Sequence, residues 1–552
     1  MFCLFYNATA KKVSALNGSG RSGSKYTLEA IRSALGLKPG ERGRIPMNSV
    51  HAVSVPGAAA GWVDTVERFG SGKLSLAQIL APAIRLAEEG FPVSEGVAYF
   101  WDKSEAQIRG ASLNGAEMLK KDPGATGGAR APRAGEIMKN PTLARTFRTL
   151  AAEGKKGFYA GRVAEELVKV VRDLGGLLEL DDLAHHLATG SEPVDAISLQ
   201  FRGQNVAQLF KDTVLRDGGA GGDEKLDLGI ELWEHPPNGQ GIVALLALGI
   251  LEALEAAGRI PTWTPADFNT APYLHAVIEA LRIAFADASW FVADPNVEAV
   301  PSAELLSREY LAQRAALFDP GHAAALGTLP HGSPALRSSD TVYLAVADAG
   351  GNAISFINSN YGGFGTCIVP QGCGFTLQNR AANFTLEEDD GAGARPPNVL
   401  APRKRPYHTI IPAAATNLHD GSLHSVFGVM GGFMQPQGHV QVLLGQVVGR
   451  LSPQQALDAP RVCLGGVGGA SWLTGADDGA AGAWPVYVEE GMPAETVEGL
   501  RALGHDVRLV ADMERAMFGR GQIIRWSVDP LDSVGVWSAG SDPRGDGAAY
   551  PL

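Results

Sequence analysis

Helical and strand-like segments are unevenly distributed along this chain, and that distribution constrains the fold. Four segments have the amphipathic period of a helix, at 77–89, 142–153, 162–174 and 271–289, whereas Val- and Ile-rich runs cluster after residue 340. An amphipathic helix must bury its apolar face against another layer, and strands of this kind stack as sheets. The pattern therefore predicts an α/β fold, and a four-layer αββα sandwich, in which helices cover both outer faces of two stacked sheets, satisfies it.

The segment that begins at Thr341 has the pattern of a β-hairpin. A strand-like run at 342–347 is followed, across a Gly-Gly-Asn turn, by a second run at 353–358, and Ser359 then begins a glycine-rich bend. A threonine at the start of a strand is explained by β-propensity alone. If the Asp340–Thr341 bond were cut, however, the new α-amine, with a pKa of about 7.7–8.0, could accept the threonine hydroxyl proton.

Further segments in the same order strengthen the second interpretation. Downstream of the hairpin lie 377–380 (LQNR), 402–409 (PRKRPYHT) and 428–432 (GVMGG). This order resembles the small subunit of the γ-glutamyltransferase family, whose members are N-terminal-nucleophile hydrolases. Segments that resemble the family's large subunit precede the hairpin, at 54–62, 81–91, 157–161, 175–178, 236–241 and 279–287.

The resemblance implies a domain organisation. Residues 1–340 would be a large-subunit part and 341–552 a small-subunit part, with the two interleaved in one αββα unit and still associated after cleavage. The hairpin expected from 2–6 and 13–16 lies well inside the family's large subunit, so this part is expected to lack its N-terminal segment. The charged, glycine-rich stretch 205–230 interrupts a strand-to-strand passage and is expected to be a solvent loop.

The resemblance also implies roles for individual residues. Thr341 would be the nucleophile and Asp340–Thr341 the cleavage site, Ser359 would hold the nucleophile's hydroxyl, and the N–H groups of Gly431 and Gly432 would form the oxyanion hole. The positions that contact the substrate in the family correspond here to Tyr361, Arg380, Asn383, His408 and Thr409.

The substrate positions depart from the family's pattern. The family binds the glutamyl ammonium with Asn, Gln and Asp, whereas this chain has Tyr361, Arg380 and Asn383 there. Asn383 lacks the charge of Asp, and Arg380 would repel an ammonium group. Three hypotheses stay open: a γ-glutamyl hydrolase or transferase acting on glutathione-like amides, an acylase acting on glutaryl-type or other N-acyl amides, and a truncated remnant without activity.

Composition limits the partners. A net charge of −12 weighs against a nucleic acid or an anionic membrane surface, and no run reaches the roughly 18 apolar residues of a membrane span. The four cysteines and twelve histidines lack metal-ligand spacing, so we expect no metal or cofactor, buried free thiols, and a small-molecule amide substrate. No targeting signal is evident, and both a cytoplasmic and a secreted location stay open.

Overall fold

The computed structural model describes residues 1–206, 227–324, 340–389, 393–465, 485–529, 531–532 and 534–551, and of Asp340 it describes the backbone. Most of the stretch expected to be a solvent loop, 205–230, lies outside the described residues. The α-helices of the described residues are Leu28–Ala34, Ala58–Phe69, Leu76–Glu89, Glu95–Ala111, Pro141–Glu153, Lys155–Tyr159, Arg162–Asp173, Leu180–Thr189, Gly241–Ala256, Ala271–Phe291, Ser302–Leu305, Arg308–Ala315, Met434–Val447, Pro453–Asp458 and Ala494–Ala502.

Two sheets form the centre of the fold. In the described part of the chain, the first sheet has five strands, in the spatial order Asp340–Ala347, Ala353–Tyr361, Phe2–Asn7, Lys12–Asn17 and Glu192–Val194. The second sheet has six strands, in the order Gly535–Ser541, Arg520–Val528, Leu423–Met430, Ala413–Asn417, Ile230–Glu234 and Ile197–Phe201. The remaining strands form smaller sheets: Val462–Leu464 with Pro485–Glu489 and Asp506–Val510, Phe91–Pro92 with Ile137–Met138, and Lys120–Lys121 with Ala129–Arg130.

The two central sheets stack face to face through an apolar layer. Leu4 and Ala353 from the first sheet pack in one buried cluster with Ala414 and Val426 from the second. Tyr343, two residues after the start of the hairpin, packs in a neighbouring cluster that also joins both sheets. Burial of alternate strand residues in this layer is the main reason that the register of both sheets is fixed.

Helices cover the two outer faces. Gly241–Ala256, Ala271–Phe291 and Met434–Val447 belong to the large apolar core on the second sheet, and Ala58–Phe69 packs on strands Phe2–Asn7 and Lys12–Asn17 of the first. Gly241–Ala256 is apolar on every side because it lies between the sheet and other helices. The predicted αββα sandwich is confirmed, and none of the described helices is long and apolar enough to cross a membrane.

Both central sheets combine strands from either side of residue 340. Phe2–Asn7 pairs with Ala353–Tyr361 in the first sheet, and Ile230–Glu234 pairs with Ala413–Asn417 in the second. The hairpin expected from residues 2–6 and 13–16 is present, with strands at Phe2–Asn7 and Lys12–Asn17. All four cysteines are buried and free, as predicted.

Candidate active site

Thr341 lies at an irregularity in the edge strand of the first sheet. Asp340 is paired with Tyr361 and Val342 with Asn358, so the register shifts across Thr341 as it does at a β-bulge. Bulges redirect the side chain of the extra residue, and they are common beside active sites. The Thr341 side chain is buried, with 3% of its residue surface exposed.

The Thr341 hydroxyl takes part in a short chain of hydrogen bonds. It donates to the hydroxyl of Ser359 at 3.1 Å and accepts a longer bond from Nε2 of Gln435 at 3.4 Å. Ser359 Oγ also accepts the backbone N–H of Tyr361 at 2.9 Å. Ser359 was expected in a bend after the second strand, but this strand continues to Tyr361, so Ser359 lies inside it. Both hydroxyl residues therefore lie at the irregular point of the hairpin, between the pairs Asp340–Tyr361 and Val342–Asn358.

Gly431 and Gly432 join strand Leu423–Met430 to helix Met434–Val447. Their backbone φ angles are 136° and 62°, values that residues other than glycine rarely adopt. The Gly431 carbonyl accepts the N–H of Met434, and the Gly432 carbonyl accepts the N–H of Gln435. Among the described residues, neither glycine donates its own N–H to a protein acceptor. Two adjacent unused donors of this kind can stabilise an anion.

A cavity of about 570 Å³ is lined by Ser359, Arg380 and His408 together with many apolar side chains. Its aromatic residues are Trp62, Phe91, Trp101, Phe147, Phe158, Phe364 and Phe375. Burial and the charge of Arg380 hold the pKa of His408 well below its usual value, so His408 is neutral. No Asp or Glu occurs among the described residues that line this cavity.

Four of the five predicted substrate positions divide between two cavities, and Thr409 lines neither of these two. Tyr361 and Asn383 line a second cavity of about 270 Å³, on which Tyr407 and Phe433 also lie. The side-chain amide of Asn383 donates to the Tyr407 carbonyl at 3.0 Å and thus links these two segments of the chain. Arg380 links the two groups, because its Nη1 donates to Thr409 Oγ1 at 2.6 Å and its guanidinium lies 4.7 Å from the centre of the Tyr361 ring.

A basic triplet, Arg403 to Arg405, precedes His408. Arg403 is exposed and paired with Asp181, whereas Lys404 and Arg405 are fully buried. Lys404 pairs with Glu298, and Arg405 pairs with Glu192. None of the three lines either cavity. Their ion pairs instead connect segments that are distant in the sequence.

Two glutamines at the site were not selected from the sequence. Gln435 binds Thr341, and its Oε1 accepts the N–H of Ile411 at 2.8 Å. Buried Gln240 donates to the carbonyls of Thr409 at 2.6 Å and Gly432 at 2.8 Å. Gln435 is three residues after the Gly-Gly pair, on the first turn of the following helix, and this position is the signal that could have identified it.

One cluster of the described residues has the composition of a metal site. His275, Glu279 and His505 are all buried and close together. His275 Nε2 donates to the Asp319 carbonyl, which leaves its Nδ1 to accept the N–H of His505 at 2.8 Å. Burial lowers the pKa of His505 to about 3, so this ring is neutral. The hydrogen bond between the two rings accounts for their closeness, and none of the three residues lines the cavities described above.

Comparison with known proteins connects this geometry to one family. The sequence profile of the family described as gamma-glutamyltranspeptidase matches residues 1–552. Among similar proteins, the glutathione hydrolase-like YwrD proenzyme of Bacillus subtilis is 30% identical over 556 residues, covering 100% of this chain and 89% of the relative. The oxamate amidohydrolase proenzyme of Klebsiella pneumoniae is 31% identical over 543 residues, covering 97% and 86%.

A solved structure gives the same result for the fold. The crystal structure of cephalosporin acylase from Bacillus halodurans matches with a TM-score of 0.78 and 34% sequence identity. The match covers 100% of this chain and 87% of the acylase.

Proposed function

Because this chain belongs to the gamma-glutamyltranspeptidase family, we propose that it is a self-processing hydrolase that cleaves N-acyl amide bonds through an acyl-enzyme on Thr341. The observation that carries the proposal is the hydrogen bond between the hydroxyls of Thr341 and Ser359 at the start of the edge strand. The names of the relatives, which include a glutathione hydrolase-like proenzyme, an oxamate amidohydrolase and a cephalosporin acylase, support hydrolysis of amide or acyl bonds.

Maturation would proceed within one chain. The Thr341 oxygen attacks the Asp340 carbonyl carbon, the bond from that carbon to the Thr341 nitrogen breaks, and the nitrogen takes up a proton. Water then hydrolyses the resulting ester and leaves a carboxylate on Asp340 and a free amine and hydroxyl on Thr341. The register shift at Thr341 supports this step, because it removes the scissile bond from regular strand pairing.

Turnover would use the new amine as the base. With a pKa of about 7.7–8.0 in the absence of perturbation, the amine accepts the hydroxyl proton near neutral pH while the oxygen attacks the substrate carbonyl. The unused N–H groups of Gly431 and Gly432 would stabilise the oxyanion, and each donor of this type is worth about 3–4 kcal/mol. The amine of the substrate leaves with a proton, and water or a second amine then releases the acyl group.

The two parts produced by cleavage would remain together. Strands from either side of residue 340 pair with each other in both central sheets, and the apolar layer between these sheets also contains residues from both parts. Cleavage of one bond at the sheet edge removes none of these contacts. We therefore propose residues 1–340 and 341–552 as the two parts of one mature unit.

Two candidate substrate classes remain within this mechanism. A γ-glutamyl amide carries both an α-carboxylate and an α-ammonium, whereas a simpler N-acyl amide lacks the ammonium. The second class is favoured by the described lining of the larger cavity, which has no acidic residue to pair with an ammonium and contains the cation Arg380. An acylase-type hydrolase is therefore the better-supported form of the proposal.

The mechanism can be tested by intact mass spectrometry of the purified protein. Two fragments that meet between Asp340 and Thr341 are expected. Thr341→Ala should abolish cleavage, and Thr341→Ser should retain some cleavage and some amidase activity. Thr149→Ala is a matched control, because it removes a threonine hydroxyl that donates to the Arg145 carbonyl one turn earlier in helix Pro141–Glu153.

The outcomes separate the hypotheses. An uncleaved chain that hydrolyses amides would disprove the N-terminal nucleophile. A chain that is neither cleaved nor active would instead favour the remnant hypothesis over the proposal.

A further inference from the structure

Arg380 is a buried cation on the wall of the larger cavity. It begins a short 3-10 turn, Arg380–Asn383, and only 3% of its surface is exposed. Its Nη1 donates to Thr409, and its guanidinium lies over the Tyr361 ring. Among the described residues, Nη2 has no hydrogen-bond partner. Both contacts of the guanidinium are thus with uncharged groups.

The other buried arginines of the described chain are different. Each of them forms an ion pair with a carboxylate: Arg21 with Glu192, Arg282 with Glu279, Arg314 with Asp287, Arg405 with Glu192 and Arg461 with Asp542. No described carboxylate lies within ion-pair distance of Arg380. Among the buried arginines of the described residues, Arg380 is therefore the exception.

An unpaired buried charge is costly, and proteins retain one where a ligand compensates it. Burial lowers the pKa of Arg380 to about 9, so the guanidinium is still charged at neutral pH. The same cavity is lined by Ser359, the hydrogen-bond partner of Thr341. A negative group bound to Arg380 would therefore lie in the cavity that Ser359 also lines, and Ser359 is hydrogen-bonded to the proposed nucleophile, Thr341.

We propose that Arg380 binds a free carboxylate on the acyl group of the substrate, so that the preferred substrates are monoamides of dicarboxylic acids that carry no ammonium on the acyl chain. Thr409 and Tyr361 position the guanidinium, and Nη2 is the donor left for the carboxylate. This inference rests on the proposed function, since it identifies the acyl group that Thr341 would receive. An ammonium on the same chain would meet a cation and no described acid in the cavity.

The test uses three p-nitroanilides with the same leaving group: glutaryl, valeryl and γ-glutamyl. Valeryl has the chain length of glutaryl without its carboxylate, and γ-glutamyl adds the ammonium. The unmodified protein should prefer glutaryl over valeryl in kcat/KM by at least about tenfold, which is the range of a charge-assisted hydrogen bond. Glutaryl should also be preferred over γ-glutamyl.

Substitution of Arg380 then tests whether this residue causes the preference for glutaryl over valeryl. Arg380→Gln should lower the ratio of kcat/KM for glutaryl to kcat/KM for valeryl by about tenfold or more. Arg380→Lys should retain part of the preference because it keeps the charge. Arg403→Gln is the control, since it removes an exposed positive charge that lines neither cavity. Glutarate should raise the Tm of the unmodified protein and not that of Arg380→Gln.

Contrary outcomes are distinguishable from failure of the proposed function. Equal rates on glutaryl and valeryl, or an equal loss on both in a folded and cleaved Arg380→Gln protein, would overturn the carboxylate site while the Thr341 mechanism stood. A strong γ-glutamyl preference in the unmodified protein would also overturn it. Absence of cleavage at Asp340–Thr341, with no hydrolysis of any of the three substrates, would reject the proposed function itself.

Discussion

The hydroxyl of Thr341 donates a hydrogen bond of 3.1 Å to the hydroxyl of Ser359, a residue eighteen positions later in the chain. The two lie on neighbouring antiparallel strands of one hairpin. Ser359 also accepts the N–H of Tyr361 at 2.9 Å, which orients its oxygen toward the threonine. The proposed nucleophile is therefore positioned within the hairpin, between the paired residues Asp340–Tyr361 and Val342–Asn358.

Ser359→Ala removes the acceptor for the Thr341 hydroxyl and for the N–H of Tyr361. We expect kcat to fall by about 10- to 100-fold, as for loss of one positioning hydrogen bond in an active site. Ser359→Thr keeps the oxygen and should retain most of the activity. Steady-state kinetics with whichever p-nitroanilide the unmodified protein hydrolyses faster would measure kcat. An unchanged kcat in Ser359→Ala would show that the Thr341–Ser359 hydrogen bond has no part in turnover.

Gly432→Val would place a β-branched side chain at a φ of 62°, where it would reorient the N–H groups of the Gly-Gly pair. The expected effect is a fall in kcat of about 100-fold or more. Gly258→Val is the control, because Gly258 has a φ of 66°, follows a helix end and has open space around it. If both variants lose the same small amount of activity, the oxyanion donors lie elsewhere.

Gln435→Leu should slow self-cleavage and destabilise the fold. It removes the donor to Thr341 and leaves the buried N–H of Ile411 without an acceptor, at a cost of about 1–3 kcal/mol. Gln437→Leu is the matched control on the same helix, because Gln437 accepts the N–H of Leu464 and donates to the Phe433 carbonyl. Chemical unfolding should give similar losses for both variants, whereas cleavage measured by mass spectrometry should slow only in Gln435→Leu.

Acid should destabilise the protein partly through His235. Burial lowers the pKa of this side chain to about 3, and its ring stacks on Phe2 with centroids 3.7 Å apart. The unfolded chain, with a histidine pKa of about 6.5, binds more protons between these values, so stability falls as the pH drops below about 6.5. At about pH 5 the loss is about 2 kcal/mol for this group.

His235→Phe keeps an aromatic ring against Phe2 and removes the titration. The difference in unfolding free energy between pH 7.5 and pH 5 should therefore shrink by about 2 kcal/mol. His322→Phe, at an exposed position, should leave the difference unchanged. An equally steep acid profile in His235→Phe would mean that folding does not lower the pKa of this histidine.

Local patterns in the sequence predict much of this fold. The four helices expected from amphipathic periodicity are present within two residues of their predicted ends, and both predicted hairpins form. Each of these elements is defined by residues close together in the chain, so its apolar period is visible in the sequence.

The parts of the site that depend on distant contacts could not be predicted in this way. Gln240 and Gln435 form hydrogen bonds to residues far away in the sequence, and only Gln435 has a local signal, its position just after the Gly-Gly pair. The lack of a described carboxylate beside Arg380 is also a tertiary property, because it depends on which distant segments pack around this residue. The likeness to the family indicated which residues are the substrate positions. The structure was needed to show that Arg380 and His408 line one cavity and Tyr361 and Asn383 another.

The pairing of strands across residue 340 has a consequence for refolding. An uncut chain regains both central sheets by a reaction within one molecule, whose rate is independent of protein concentration. Once the bond before Thr341 is cut, Phe2–Asn7 and Ala353–Tyr361 belong to different polypeptides, and recovery of the same sheet becomes a second-order association. Neither polypeptide alone can complete a central sheet, so each exposes unpaired strand edges and apolar surface that favour aggregation. Heat inactivation of the processed enzyme should therefore be irreversible under conditions in which the uncut Thr341→Ala chain recovers its fold.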